Sequence, residues 1–141
     1  MRDKLISLID KFFLESYKSF FETLNTFTGP DENVSYREFS ICDLIERHPG
    51  CNMSFIAARL EVTNSAVTQQ VNSLLKKGYV DKTHFESDKR NKGLAITEKY
   101  KELVDKANHL IFGKFCDELT DDEKQSLYTI LSRSSTMSDN K

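Results

Sequence analysis

NSAVTQQVNSLLKKG, residues 64–78, divides into two unlike faces when its side chains are set about 100° apart around a helix. Val67, Val71, Leu74 and Leu75 recur at helical spacing, the apolar stripe of a helix packed on a core. Ser65, Thr68, Gln69, Asn72 and Lys76 fall on the other side, which is hydrogen-bonding and uncharged until it turns basic at its end. Solvated helix faces are ordinarily mixtures of Glu and Lys, whereas hydroxyls and amides can exchange water for the edges of bases in a groove. Alone, this face fits an ordinary exposed surface as well as a reading surface. Its neighbours decide.

Immediately upstream, Asn52 is placed to cap a short helix, MSFIAARL, with Phe55, Ile56 and Leu60 facing inward. Ala57 is small enough for a second helix to cross closely. Glu61-Val62-Thr63 then forms the turn, and Thr63 supplies the N-cap oxygen for the helix from Asn64. Two short helices joined in this way form a helix-turn-helix, whose second helix is positioned to enter a groove.

Downstream, Gly78 is a C-terminal stop, and the pattern changes from helical to alternating. Tyr79 to Glu86 reads as a strand, SDKRNKG (87–93) as a turn-rich basic tip and Leu94-Ala95-Ile96 as the return strand. A hairpin in this place is a wing. Lys89, Arg90 and Lys92 are spaced at its tip to meet phosphate or enter a minor groove, with Asp88 close enough to orient Arg90.

The flanks are helical. Residues 3 to 24 carry Leu5, Ile6, Leu8, Ile9, Phe12, Phe13, Tyr17, Phe20, Phe21 and Leu24, apolar over two adjoining stripes. Such a helix must be covered from two directions, by its own domain twice or by its domain and a partner chain; the expectation is a dimer arm. Thr28-Gly29-Pro30-Asp31 breaks it, and Ser35 and Glu38 form a capping box that opens a helix with Phe39, Cys42 and Ile45 inward. His48-Pro49-Gly50 ends that helix. Beyond the wing, Thr97 caps a helix through Tyr100, Leu103, Val104, Ala107, Leu110, Ile111, Phe115 and Leu119. Thr120 and Glu123 box the start of a last helix through Leu127, Tyr128, Ile130 and Leu131.

The expected fold is therefore mainly α with a small β-hairpin wing: a winged helix-turn-helix whose terminal helices form a dimerisation arm. Residues 1–34 and 98–141 make the arm and 35–97 the lobe, intertwined as one domain, a size consistent with the 141-residue chain. A net charge of −2 looks wrong for binding a polyanion, but it averages an uneven chain. Between Arg59 and Lys101 nine Lys/Arg face five acids, so that segment is +4 and the remainder −6. The three cysteines, Cys42, Cys51 and Cys116, form no CxxC, and His48, His84 and His109 are scattered, so neither a disulfide framework nor a metal site is expected. No apolar run approaches the roughly 18 residues of a membrane span, and MRDKLISLID has acids within its hydrophobic stretch, unlike a signal peptide; the expected location is cytoplasmic. No glycine-rich phosphate loop or nucleophile–base grouping is present, and no enzyme is expected.

In order and spacing, these pieces resemble the MarR family of bacterial winged-helix transcription regulators over nearly the whole chain. IAARLEVTNSAVTQQVNSLLKKGYV (56–80) is similar to that family's Leu-Ala-x-x-Leu segment, turn, recognition helix and Lys-Lys-Gly exit. SDKRNKGLAITEKYKEL (87–103) is similar to its Asp-x-Arg wing tip and the start of its dimer helix, with Asp88, Arg90 and Thr97 at matching places. Three departures stand out. Glu61 occupies a turn position where Gly is common, so the turn must avoid positive φ or bear strain. Gln69 replaces a frequent Arg, removing a strong guanine or phosphate contact. Tyr100 replaces a common Gly, altering packing near the effector region.

The resemblance implies a homodimer on a pseudo-palindromic double-stranded DNA operator, acting as a ligand-responsive repressor with no cofactor. Such regulators commonly respond to small aromatic or phenolic effectors near the junction of arm and lobe. Members that sense peroxide hold a cysteine in the first helix, where Lys11-Phe12-Phe13-Leu14 has none. Cys42 reads as core, leaving Cys51 as the candidate for any thiol chemistry. Asn64, Ser65, Thr68, Gln69 and Asn72 are expected to read bases, while Lys76, Lys77, Lys89, Arg90 and Lys92 hold phosphates or the minor groove. The competing reading is a winged-helix protein-interaction module without DNA binding, favoured by the modest overall charge.

Overall fold

The computed structural model describes residues 1–85 and 88–135, with side chains placed for 1–83 and 93–134. The elements run α1 (Arg2–Thr26), α2 (Tyr36–Arg47), α3 (Met53–Leu60), α4 (Asn64–Lys77), β1 (Val80–Phe85), β2 (Asp88–Ile96), α5 (Glu98–Asp117) and α6 (Asp121–Ser135). The chain divides within α5 into two compact units, the first Met1–Ala107 and the second starting at Asn108.

In the first unit the helix starts are set by side-chain oxygens that satisfy otherwise unpaired backbone donors. Ser35 Oγ accepts from Glu38 N at 3.1 Å while Ser35 N donates to Glu38 Oε1 at 3.2 Å, completing the capping box of α2. Asn52 Oδ1 accepts from Phe55 N at 2.8 Å to open α3, and Thr63 Oγ1 accepts from Ala66 N at 3.1 Å to open α4. The helix-turn-helix turn does not avoid positive φ: Glu61 sits at φ 55°, ψ 44°, so the strained alternative holds. Gly78 ends α4 at φ 79°, where a residue without Cβ is unstrained.

These helices close on a core of Leu24, Ile41, Cys42, Ile45, Ile56, Val67, Val71, Leu74, Tyr79 and Val80, each at most 1% exposed. Asn25 ties the end of α1 to this lobe. Its Nδ2 donates to Val34 O at 3.1 Å and its Oδ1 accepts from Val34 N at 2.8 Å. Tyr79 donates its hydroxyl to Glu32 O at 2.7 Å, anchoring the same loop to the start of the hairpin.

The hairpin is antiparallel, in register from Val80↔Ile96 to His84↔Lys92, and then shifts so that Phe85 pairs with Asp88. The return strand thus begins at Asp88 rather than Leu94. Backbone pairing continues past the apolar alternation from which a strand is read, since every donor and acceptor gains from a partner whatever its side chain. A third rung comes from the loop before α3: Gly50 N donates to Leu94 O and Leu94 N to Cys51 O, both at 2.9 Å. That approach requires Gly93, because a Cβ there would lie 2.5 Å from Gly50 O.

Along α1 only Phe20 and Leu24 are buried; Leu8, Phe13 and Leu14 are 65%, 59% and 66% exposed. In the second unit, Thr120 N donates to Glu123 Oε1 at 2.9 Å and Glu123 N to Thr120 Oγ1 at 3.2 Å, which opens α6 as its sequence suggests. Tyr128, Ile130 and Leu131 on α6 are exposed. Among the described residues no helix is long and apolar enough to cross a membrane.

Candidate nucleic-acid interface

Helix α4 presents the two faces that its sequence separates. Val67, Val71 and Leu74 are buried, whereas Ser65, Gln69, Asn72 and Lys76 are all exposed. Spaced by three and four, these four side chains form one stripe along the outer face, three polar and uncharged and the last a cation. Asn64 is also exposed, and its Nδ2 donates to Ser54 Oγ of α3 at 3.4 Å, so the two helices share a hydrogen bond at the mouth of the turn.

Two predicted residues behave differently. Thr68 is half-buried, and its hydroxyl donates back to Asn64 O at 2.8 Å, with Met53 Sδ of α3 at 3.4 Å. Its oxygen lone pairs can still accept, but its proton is engaged within the protein. Lys77 does not share the exposure of Lys76. Its Nζ donates to Glu38 Oε2 at 2.8 Å, Glu38 Oε1 at 3.0 Å and Asn33 O at 2.7 Å. The ammonium is thus paired with one carboxylate and bonded to one carbonyl, with 14% of its side chain exposed. The reason is rotational: one residue past outward-facing Lys76, the helix has turned Lys77 toward α2.

Lys89, Arg90 and Lys92 belong to β2 by backbone, and residues 89–91 fall between the pairs His84↔Lys92 and Phe85↔Asp88, where the register shifts. The side chains of Asp88, Lys89, Arg90 and Lys92, and the expected Asp88–Arg90 contact, lie outside the described residues.

Arg37, near the start of α2, is a cation that the sequence reading passed over. It is exposed and lines, with Ala66 and Gln70 of α4, a cleft of about 400 Å³ beside the polar stripe. The signal was available as a basic residue in the first turn after the capping box. It lies outside the +4 segment, so charge counting did not reach it.

The thiols sort by burial. Cys42 is wholly enclosed, and desolvation pushes its pKa up to about 12, which keeps it protonated and unreactive. Beside it, burial also raises Tyr100, the departure from the common Gly, whose ring fills core space against Tyr79 at 5.6 Å between centroids. Cys51 is half-buried and raised by desolvation too, the opposite of the shift that makes a thiol reactive. Among the described residues, no three His, Cys, Asp or Glu are grouped to hold a metal ion.

Known proteins share this arrangement. The MarR family profile matches residues 34–92. The HTH-type transcriptional regulator BilQ of Clostridium symbiosum is 30% identical over 93 residues, spanning 63% of this chain and 64% of BilQ, so the match covers under two thirds of that relative. The transcriptional regulator BldR from Sulfolobus solfataricus is 31% identical, with 94% of this chain and 95% of BldR aligned at a TM-score of 0.52. FabT of Streptococcus pneumoniae, solved in complex with DNA, aligns with 99% of each chain at a TM-score of 0.68 and 21% identity, a likeness of fold.

Proposed function

We propose that this chain, which belongs to the MarR family, is a homodimeric regulator of transcription that binds a specific pseudo-palindromic operator and releases it when an effector binds. One observation carries the reading: a buried apolar stripe on α4 backs an exposed stripe of Ser65, Gln69, Asn72 and Lys76. Amides placed along a major groove can pair with adenine, and hydroxyls with most bases. Asn64 and Thr68 complete the reading surface at the helix start. Phosphates are held by Lys76 and Arg37 and, from the wing, by Lys89, Arg90 and Lys92.

Residues 1–34 and 98–141 form the dimerisation arm and 35–97 the DNA-binding lobe. The exposed leucines and aromatics of α1 support this, since apolar surface of that extent favours a second chain. Two lobes would set their reading helices about 34 Å apart, one turn of DNA. An effector weakens binding if it prefers an arm geometry with another spacing. Tyr17, Phe21, Tyr36 and Phe39, stacked where α1 meets α2, supply a surface suited to a small aromatic or phenolic effector.

Selection from a random DNA library tests the proposal. Recovery of an inverted repeat supports sequence reading and twofold symmetry together, and equal affinity for every duplex would sink it. The second reading, a protein-interaction module, draws on the net charge of −2. No detectable anisotropy change with random duplex at low salt would favour that module, because a basic face doubled by dimerisation binds DNA of any sequence.

A further inference from the structure

We infer that Lys77 is a positioning residue for sequence reading: held by Glu38, it fixes the orientation of α4 within the lobe and contributes no phosphate contact. The inference rests on the DNA-binding reading above. Glu38 is the one buried charged residue among the described residues, 5% exposed. Each of its oxygens accepts two hydrogen bonds. Oε1 accepts from Ser35 N at 3.2 Å and from Lys77 Nζ at 3.0 Å; Oε2 accepts from Lys77 Nζ at 2.8 Å and from Ser73 Oγ at 3.3 Å. The carboxylate that caps α2 therefore also grips the last turn of α4 at two positions four residues apart.

Lys77 carries the connection further. Its ammonium also donates to Asn33 O at 2.7 Å, in the loop that follows α1. Its own carbonyl, one of the unpaired acceptors at the end of α4, receives Lys99 Nζ at 2.8 Å, and Lys99 also reaches Glu32 Oε1 at 3.0 Å. The C-terminal end of α4 is thereby bonded to the α1–α2 loop, to the start of α2 and to the start of α5.

The chemistry sets a direction. A surface lysine beside DNA raises affinity for every sequence, because each neutralised phosphate releases counterions. A lysine already paired with a carboxylate of its own protein releases none. What it provides is geometry, the role that enclosed ion pairs play in some proteins where their net contribution to stability is small. Base reading depends on that geometry, since hydrogen bonds to base edges fail with small displacements of the helix.

The test measures binding by fluorescence anisotropy against a selected operator and a random duplex across a salt series, with folding followed by circular dichroism. The proteins are the wild type, Lys77→Met, Lys76→Met as the phosphate-contact control, and Lys77→Met/Glu38→Gln, which leaves no unpaired buried charge and keeps an oxygen for Ser35 N. The expected result for Lys77→Met is a loss of about tenfold in the operator-to-random ratio, comparable to one misread base pair. Its salt slope on random duplex should match the wild type, whereas Lys76→Met lowers the slope by about one for each subunit of the dimer. If Lys77→Met does not fold, the double variant gives the same two numbers. A Lys77 or double variant with a slope lowered like that of Lys76→Met, or with an unchanged ratio, overturns the inference. A wild type that binds neither duplex defeats the DNA-binding reading instead, an outcome separate from either variant result.

Discussion

Glu61 and Gly78 end the two helices of the helix-turn-helix with the same left-handed backbone, at φ 55° and φ 79°, yet one of them bears a side chain. At Gly78 the conformation is free of Cβ strain, while at Glu61 it costs roughly 1 kcal/mol. Glu61→Gly should therefore raise stability by about 0.5–1 kcal/mol, the relief being partly offset by the greater freedom of glycine in the unfolded chain. Urea titration should show a higher midpoint at constant m. Gly78→Ala should lower the midpoint by a comparable or larger margin, and Glu61→Ala should leave it nearly unmoved because its backbone strain is retained. A lower midpoint for Glu61→Gly would mean that contacts of the Glu61 side chain outweigh the strain.

Gln69 and Lys76 are both exposed on the outer stripe of α4, but a neutral amide and an ammonium do different work on DNA. Gln69→Ala should cost about 1–3 kcal/mol on the selected operator, concentrated at one base pair, with little change on random duplex. Lys76→Ala should weaken all sequences alike. Repeating the DNA selection with Gln69→Ala is the decisive measurement, and an unchanged consensus removes this residue from reading.

Close approach rather than special backbone geometry fixes Gly93. A methyl group there meets Gly50 O at 2.5 Å and Thr83 Oγ1 at 2.8 Å, so the loop rung must separate from β2. Gly93→Ala should destabilise the first unit by about 1–3 kcal/mol, the range of overpacking in a filled site. Thermal unfolding measures the cost, and a melting point within a degree of the wild type would show that the loop yields easily.

Enclosure of the Cys42 thiol gives an alkaline signature. With a folded pKa near 12 and an unfolded value near the ordinary one of about 8.5, the native and unfolded states bind the same proton up to roughly pH 8. Above that the unfolded thiol ionises first, so the stability linked to Cys42 is lost as pH rises toward 12. Tyr79, also pushed up to about 12 by burial, adds a similar loss at the upper end of this range. At pH 8 a disulfide reagent should label Cys116, which is exposed, and reach Cys42 only on unfolding. Rapid labelling of Cys42 in the folded protein would show that its enclosure opens readily.

Most of this arrangement was legible because it is written in local chemistry. The caps at Ser35, Asn52, Thr63 and Thr120 each lie beside the backbone donors they satisfy, and periodicity separates the faces of α4 without knowledge of what covers them. What escaped depends on contacts distant in sequence. Lys77 looks like its neighbour Lys76 until Glu38, 39 residues earlier, is seen to pair with it. Arg37 gains interest only when α2 is set beside α4. The start of β2 at Asp88 was missed because a strand edge can pair with either polar or apolar side chains.

Leu8 decides whether the apolar face of α1 is an interface. Its side chain is 65% exposed in the single chain, and a polar substitution at such a surface site ordinarily changes monomer stability by no more than about 0.5 kcal/mol. In a dimer arm the same site is enclosed by the second chain, and Leu8→Asp places an unpaired carboxylate there at a cost of several kcal/mol. Sedimentation should then show half the wild-type mass, while circular dichroism remains helical because the core of the first unit is intact. Operator binding should fall steeply, since a monomer holds one half-site where the dimer holds two, yet weak binding to random duplex should persist. Full-mass Leu8→Asp with normal operator affinity would place the dimer contact elsewhere, the exposed Tyr128, Ile130 and Leu131 of α6 being the next surface to change.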